Sequence, residues 1–187
     1  MNKEQLRREL RARFPGEALR CEESRAIRAH ILQWSVWQRS ACVALYMPLR
    51  READIAPLME IALAEGKTVL LPRVEGPGRM TLRRVSGEGD LLPGSYGIRE
   101  PGADTEILPF TAPELILVPL EGLDPTGTRL GKGGGFYDRL LAEATGLSAG
   151  VLLRHQWTER IPAEPWDIPL SAAVDADGIH LFSPIQS

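Results

Sequence analysis

Four short runs of this chain are apolar at nearly every consecutive position: Ala41–Tyr46, Thr68–Leu71, Leu115–Val118 and Ala149–Leu153. A strand with one wet face alternates apolar and polar residues. A strand that is apolar at every position must be covered on both faces, the situation of a parallel sheet between helical layers. Pro48, Pro72 and Pro119 follow the first three runs and are read as their stops. Segments of helical length lie between them: Ile55–Glu65, with Gly66 at its end, and Phe136–Ala144. Ala172–Val174 is read as a further strand. Two helices precede the first strand. Asn2–Arg13 carries Leu6 and Leu10 at i and i+4 and ends at Pro15-Gly16; Glu17–Gln38 carries Ile27, Ile31, Trp34 and Trp37 near one face. Arg79–Val85 is read as one arm of a hairpin, and the Gly- and Pro-rich stretch 87–113 as an excursion from the sheet. The pattern predicts an α/β fold: one three-layer domain over residues 1–187, Rossmann-like, with a mostly parallel sheet flanked by helices and an N-terminal helical segment.

The formal net charge of −3 opposes nonspecific nucleic-acid binding, which needs a surplus of basic residues to displace counterions. The two cysteines, Cys21 and Cys42, have no metal-ligand spacing and are expected to stay reduced. The first residues are polar and charged, unlike the apolar core of a signal peptide, and no apolar run approaches the ~20 residues that span a bilayer. The expectation is a cytoplasmic monomer without nucleic-acid or membrane partners.

In a parallel sheet, ligands bind beyond the carboxyl ends of the strands. The third apolar run leads there into Glu121-Gly-Leu-Asp124 and then Gly127-Thr-Arg-Leu-Gly-Lys-Gly-Gly-Gly-Phe-Tyr-Asp-Arg139. Gly133, Gly134 and Gly135 have no side chains to keep a backbone away from phosphate. A glycine loop that opens onto a helix presents unpaired N–H groups and the positive end of a dipole. Arg129, Lys132 and Arg139 add positive charge, and Asp138, at the helix start, is a carboxylate suited to a magnesium ion bridging phosphate oxygens. Neither common phosphate motif is present. Thr126 occupies the place of the first Walker glycine, Gly133 follows the lysine where Ser or Thr belongs, and Asp138 stands where a dinucleotide fingerprint needs its third glycine.

The segment Arg129-Leu-Gly-Lys-Gly-Gly-Gly-Phe-Tyr-Asp138 resembles the signature of the 5-formyltetrahydrofolate cyclo-ligase family, with Lys132 where that loop usually has Arg and Phe136 where it often has Tyr. The resemblance extends along nearly the whole chain. Lys3 and Arg7 match a pair that binds nucleotide phosphate; without the family context they read as the solvated face of a charged helix. In Tyr46-Met-Pro-Leu-Arg-Arg-Glu52, Glu52 matches a glutamate that hydrogen-bonds the pterin and Met47 an apolar contact to it. A glutamate at a helix N-terminus, favoured by the dipole, is the other reading of Glu52. Met80, Gly94-Ser-Tyr-Gly-Ile-Arg-Glu-Pro101, Gln156 and Ile161-Pro162 through Asp167 resemble further family segments, and Asp167 matches a second magnesium ligand. By the same resemblance the 94–101 segment is expected to border the active site; taken alone, it is a turn and Asp167 a loop carboxylate. Two segments depart from the family: Leu120-Glu-Gly-Leu-Asp124, and Asp175-Ala176 where threonine and glutamate are common.

The resemblance implies an ATP-dependent enzyme that turns 5-formyltetrahydrofolate into 5,10-methenyltetrahydrofolate, with ATP and Mg²⁺ as cofactors and a reduced folate as the small-molecule substrate. It implies an ATP site of Lys3, Arg7, Arg129, Leu130, Gly131, Lys132, Gly133, Gly134, Gly135, Phe136 and Tyr137, and a folate site of Met47, Glu52, Gly133, Gly134, Gly135 and Phe136. Lys132 and Arg129 would stabilise the transferring phosphoryl group, Tyr137 would border the reacting groups, and Asp138 and Asp167 would hold the metal. His30, His155 and His180 are scattered and suggest no histidine base. Two other readings fit the same residues: a diverged ATP-dependent ligase or kinase for another formyl or carboxyl compound, and a folate- or nucleotide-binding protein without turnover.

Overall fold

A computed structural model of the chain describes residues 2–94 and 97–182. Its helices are α1 (Lys3–Ala12), α2 (Glu17–Gln33), α3 (Ser35–Arg39), α4 (Pro57–Ala64) and α5 (Phe136–Glu143). The strands that build or extend the main sheet are β1 (Cys42–Ala44), β2 (Thr68–Gly76), β3 (Arg79–Val85), β6 (Ile107–Leu108), β7 (Leu115–Val118), β10 (Leu147–Val151), β11 (Ala172–Asp175) and β12 (Gly178–Leu181). Two small ribbons pair β4 (Leu91–Pro93) with β5 (Arg99–Pro101), and β8 (Gly122–Leu123) with β9 (Arg129–Leu130).

Among the described residues the main sheet has the order β12-β11-β10-β7-β1-β2-β3-β6. The five strands β11, β10, β7, β1 and β2 are parallel, and the antiparallel strands lie at the two sides. From β1 the chain goes first to β2 on one side and later to β7 on the other. The crevice beyond the carboxyl ends of β1 and β7 is therefore a topological switch point, the usual ligand position in such sheets.

The expected burial on both faces is present, and successive residues of one strand serve different cores. Val43, Val69, Leu115 and Leu117 join Ile27, Ile31 and Trp37 from α2 and α3, and Leu58 and Met59 from α4. Ala44, Leu70, Ile116 and Val118 join Leu140 and Leu141 of α5 on the opposite face. A third apolar cluster joins Leu6 and Leu10 of α1 to Leu130 and Ile161. That helix is started by a capping box, in which the Asn2 side chain accepts from the Gln5 N–H at 2.8 Å and the Gln5 side chain accepts from the Asn2 N–H at 2.9 Å.

Three readings of the sequence need correction. The helix expected over 17–38 is two helices, because Trp34 takes an extended conformation (ψ 126°); the turn carries Trp37 into the core, where its indole N–H reaches Glu65 at 3.1 Å. Pro72 does not stop β2. The Val74 N–H points away from β3 toward Glu100, so the proline two residues earlier faces the same way. On that side β1 has already ended at Ala44, and the missing N–H of Pro72 costs no ladder bond. Finally, β12 pairs antiparallel with β11, a strand not expected from the sequence because Gly178–Leu181 is only half buried.

Candidate active site

A cavity of about 400 Å³ opens at the switch point. The segment after β1 supplies Tyr46, Met47, Leu49 and Glu52; β2 supplies Leu71, Pro72 and Val74; Met80 comes from β3. Ile98, Arg99 and Glu100 border it from the excursion, Pro119 from the end of β7, and Arg129 with residues 131–138 from the glycine loop. One wall is thus mostly apolar and the other is backbone and cations. Of the family-like segment 94–101, Ser95 and Tyr96 lie outside the described residues.

The loop leaves β9 and turns into α5 at Gly135, which has φ +64°, while Gly133 has φ +97°. Both values lie in the left-handed region that a side chain disfavours. Space is limiting as well: a Cβ at Gly135 would stand 2.9 Å from the Arg139 guanidinium. Arg139 itself donates to the Gly134 carbonyl at 2.7 Å and lies over the Phe136 ring, 5.8 Å from its centroid. It therefore braces the turn.

The remaining cations are bound to partners. Arg129 is nearly buried, donates to Asp138 Oδ1 at 2.8 Å, and lies 5.7 Å from the centroid of the Tyr137 ring. Burial, and then the charge of Glu52, holds the Tyr137 hydroxyl far above its ordinary pKa, and Arg129 opposes this less strongly. It stays protonated at neutral pH. Lys132 forms an ion pair with Glu52, whose other oxygen accepts from the Leu49 N–H at 2.8 Å. Glu52 is buried, so the pair brings the candidate folate contact and the candidate phosphate contact together across the pocket.

Helix α1 lies against the outside of the loop. Arg7 donates from Nε to the Gly131 carbonyl at 2.7 Å. Lys3, one turn earlier, bonds Glu164 and Asp167 at 2.6 Å each. Burial works against the charge on Lys3, but hydrogen bonds and attraction from those two carboxylates outweigh it and raise its pKa. The structure brings Arg7 to the loop, therefore, but places Asp167 on Lys3 and not among the residues lining the cavity. Asp138 does line it.

Several singled-out residues are structural. Gln156 is buried, accepting from the Leu153 N–H and donating to the Leu120 carbonyl. Asp124 is buried and accepts from Thr126, Thr128 and the Ile161 N–H, tying the loop before β9 to the segment that carries Asp167. Leu120 and Leu123, in the segment that departs from the family, are core residues. Asp175, the other departure, is buried and accepts from the Trp157 indole at 2.8 Å. None of these five lines the cavity. Ile98, Arg99 and Glu100 border it as expected of their segment, while Tyr46, Leu71 and Val74 line it without having been assigned a role of their own from the sequence. Their position after β1 and on β2 was the available signal.

Comparison with known proteins agrees with this geometry. The sequence model of the 5-formyltetrahydrofolate cyclo-ligase family matches residues 1–176. The chain is 34% identical over 138 residues to 5-formyltetrahydrofolate cyclo-ligase of Escherichia coli strain K12, covering 71% of this chain and 76% of that one. It is 34% identical over 184 residues to the enzyme of that name from Mycolicibacterium smegmatis, covering 91% of each. The solution structure of Aquifex aeolicus 5,10-methenyltetrahydrofolate synthetase superposes with a TM-score of 0.88 at 34% identity, over 100% of this chain and 96% of that one. Matched by the family model over residues 1–176 and by the Aquifex aeolicus structure over its whole length, the chain belongs to the 5-formyltetrahydrofolate cyclo-ligase family.

Proposed function

We propose that this chain catalyses the ATP-dependent conversion of 5-formyltetrahydrofolate to 5,10-methenyltetrahydrofolate, releasing ADP and phosphate. The observation that carries the reading is the loop Arg129–Asp138 forming one wall of a cavity whose opposite wall is apolar, in a chain matched by the family over residues 1–176. The apolar wall of Met47, Leu49, Leu71, Val74 and Met80 suits a flat ring system. The loop suits phosphates.

The formyl oxygen is a poor leaving group. Its attack on the γ-phosphoryl of ATP forms an O–P bond, breaks the bond to ADP, and turns that oxygen into part of a phosphate ester. The second folate nitrogen then attacks the activated carbon. Phosphate departs with the formyl oxygen and the nitrogen loses its proton, leaving the methenyl bridge. Such a reaction needs positioning and charge neutralisation more than a protein nucleophile. Lys132, Arg129 and the loop N–H groups would hold the phosphoryl oxygens, with Arg7 and Lys3 behind them. Tyr137, kept neutral, would border the reacting atoms.

The donor set suits magnesium in its usual form. No cluster of three or more His, Cys, Asp or Glu side chains that could hold a metal ion occurs among the described residues. Magnesium is commonly held by one or two carboxylates plus substrate phosphates, with water completing the shell. Asp138 fits that role; Asp167, which rests on Lys3, is not among the residues lining the cavity. When bound, the ion would neutralise charge on the phosphates; Asp138 would exchange Arg129 for it and free that guanidinium for the phosphoryl group.

The diverged-substrate reading draws no support from the departing segments, since Leu120, Leu123 and Asp175 lie in cores away from the cavity. A cytoplasmic, monomeric, single-domain protein completes the proposal. Both cysteines are free, in keeping with a reducing compartment, and among the described residues no helix is long and apolar enough to cross a membrane. The chemistry is tested with heavy oxygen in the formyl group. The label should appear in inorganic phosphate; label found in water or retained on the folate would rule out phosphoryl activation.

A further inference from the structure

Tyr46 lies two residues beyond the end of β1, at the switch point, and lines the cavity. It is 2% exposed, and its hydroxyl has no hydrogen-bond partner among the described residues. A tyrosine buried in a core normally finds a partner for its O–H, so a buried hydroxyl without one at a cavity wall marks a contact completed by a ligand. Its neighbours define that ligand further. The Glu52 carboxylate, also buried and also at the wall, accepts hydrogen bonds only. The Tyr46 hydroxyl is held protonated: burial, then the charge of Glu52, then Tyr137, pushes its pKa well above the ordinary phenol value. The cavity wall therefore carries an acceptor, Glu52, engaged by Lys132 and the Leu49 N–H, and a neutral donor, Tyr46, whose proton is unspent.

We propose that the Tyr46 hydroxyl is a specificity-determining contact, donating to the ring carbonyl of the bound substrate beside the ring N–H donors that Glu52 accepts. This rests on the reading of the substrate as a reduced folate. The heterocycle of such a molecule carries the N–H donors that a buried carboxylate accepts, so it takes the Glu52 end and the anionic tail the cavity mouth. The pyrimidinone edge of that heterocycle presents N–H donors next to a carbonyl acceptor, the complement of Glu52 and Tyr46. A counterpart with an amino group in place of the carbonyl oxygen also has a bare nitrogen where the adjacent ring N–H stood, so Glu52 discriminates against it too, equally in wild type and in a Tyr46 variant. It gives the Tyr46 proton no acceptor, and a buried donor without an acceptor is disfavoured.

The experiment measures dissociation constants of 5-formyltetrahydrofolate and of its amino-for-carbonyl counterpart, for the wild-type chain and for Tyr46→Phe, with steady-state kinetics alongside. The wild-type chain should bind the carbonyl form more tightly than the amino form, and Tyr46→Phe should cut that ratio by about tenfold. In turnover, Tyr46→Phe should raise KM for the folate by about tenfold while KM for ATP holds and kcat changes by less than about threefold. The melting temperature of the variant without ligands should not fall, because the hydroxyl has no partner to lose; a purely structural role would move it and leave the ligand ratio alone. An absence of discrimination in the wild-type chain, or the same ratio in wild type and Tyr46→Phe, overturns the proposal. Should Tyr46→Phe cut the ratio while the wild-type chain forms no methenyl product, the reaction fails and the contact survives. If it turns over with the ratio unaltered in Tyr46→Phe, the reverse holds.

Discussion

Lys132 resting on Glu52, Arg129 on Asp138 and Lys3 on Asp167 give the candidate site a set of ion pairs that, on the proposed function, the substrates would exchange for their own. Loss of one loop cation should therefore act mainly on the transition state. Lys132→Ala is expected to lower kcat/KM by about 2–4 kcal/mol, roughly thirtyfold to a thousandfold, with Lys132→Arg retaining most of the activity. Initial rates at several ATP concentrations check this, and a Lys132→Ala enzyme with unaltered kcat/KM would remove the lysine from the phosphoryl site. At this scale the sequence was legible where residues are contiguous: the loop 129–138 carries its chemistry in a single run. Pairings across long separations were not. Nothing local says that Lys132 meets Glu52, eighty residues earlier, or that Asp167 would be engaged by Lys3. Tyr46 read as the end of an apolar run, because whether a hydroxyl finds a partner depends on elements from the rest of the chain.

Helix α1 and the glycine loop form one mechanical unit. Leu10 is almost wholly buried against Leu130 and Ile161, and its side chain fills the space beside Gly122, where a Cβ would stand 2.5 Å from it. Arg7 and Lys3 on the same helix hold the loop and the Asp167 segment. Leu10→Ala should cost about 2–4 kcal/mol of stability and also raise KM for ATP, because the helix that presents Lys3 and Arg7 loses its seat. Thermal melts with ATP titration measure both. Gly135→Ala should weaken ATP binding through the turn itself: φ +64° costs a side chain about 1–2 kcal/mol, and the added Cβ meets Arg139. A Gly135→Ala variant with wild-type ATP affinity would show that the loop tolerates another conformation. The elements with consecutive apolar residues were readable from the sequence. The break at Trp34 and the passage of β2 through Pro72 were not, since each is decided by a neighbour: the core that takes Trp37, and a β1 strand that stops short.

Across the whole molecule, two cores share one sheet, since alternate residues of β1, β2 and β7 point to opposite faces. This couples the helical layers and supports the expectation of a single cooperative unfolding transition. Several carboxylates tune how that transition responds to acid. Hydrogen bonds from Thr81, and then Arg83, hold Glu75 low against the effect of burial; the Ser86 N–H and hydroxyl hold Asp90 low. Burial alone would raise Asp175, but His180, Trp157 and the Asp177 N–H outweigh it and keep it low. Groups depressed in the folded state contribute stability above their unfolded pKa and lose it as the pH falls through the folded value. Burial lowers His155 as well, so the melting temperature should begin to fall below about pH 6.5 and fall more steeply below about pH 4, where these carboxylates titrate. Asp175→Asn should melt lower at neutral pH and show a shallower decline in acid; a slope as steep as wild type would mean that Asp175 does not titrate with unfolding. Fold and phosphate loop together rest on the claim that this cavity unites ATP with a formyl folate. The most direct test follows the near-ultraviolet absorbance of methenyltetrahydrofolate in a mixture of purified protein, magnesium ATP and 5-formyltetrahydrofolate. The expected result is a rise that requires ATP and is abolished in Asp138→Ala, whereas a folded, ATP-binding chain that gives no rise would contradict the claim.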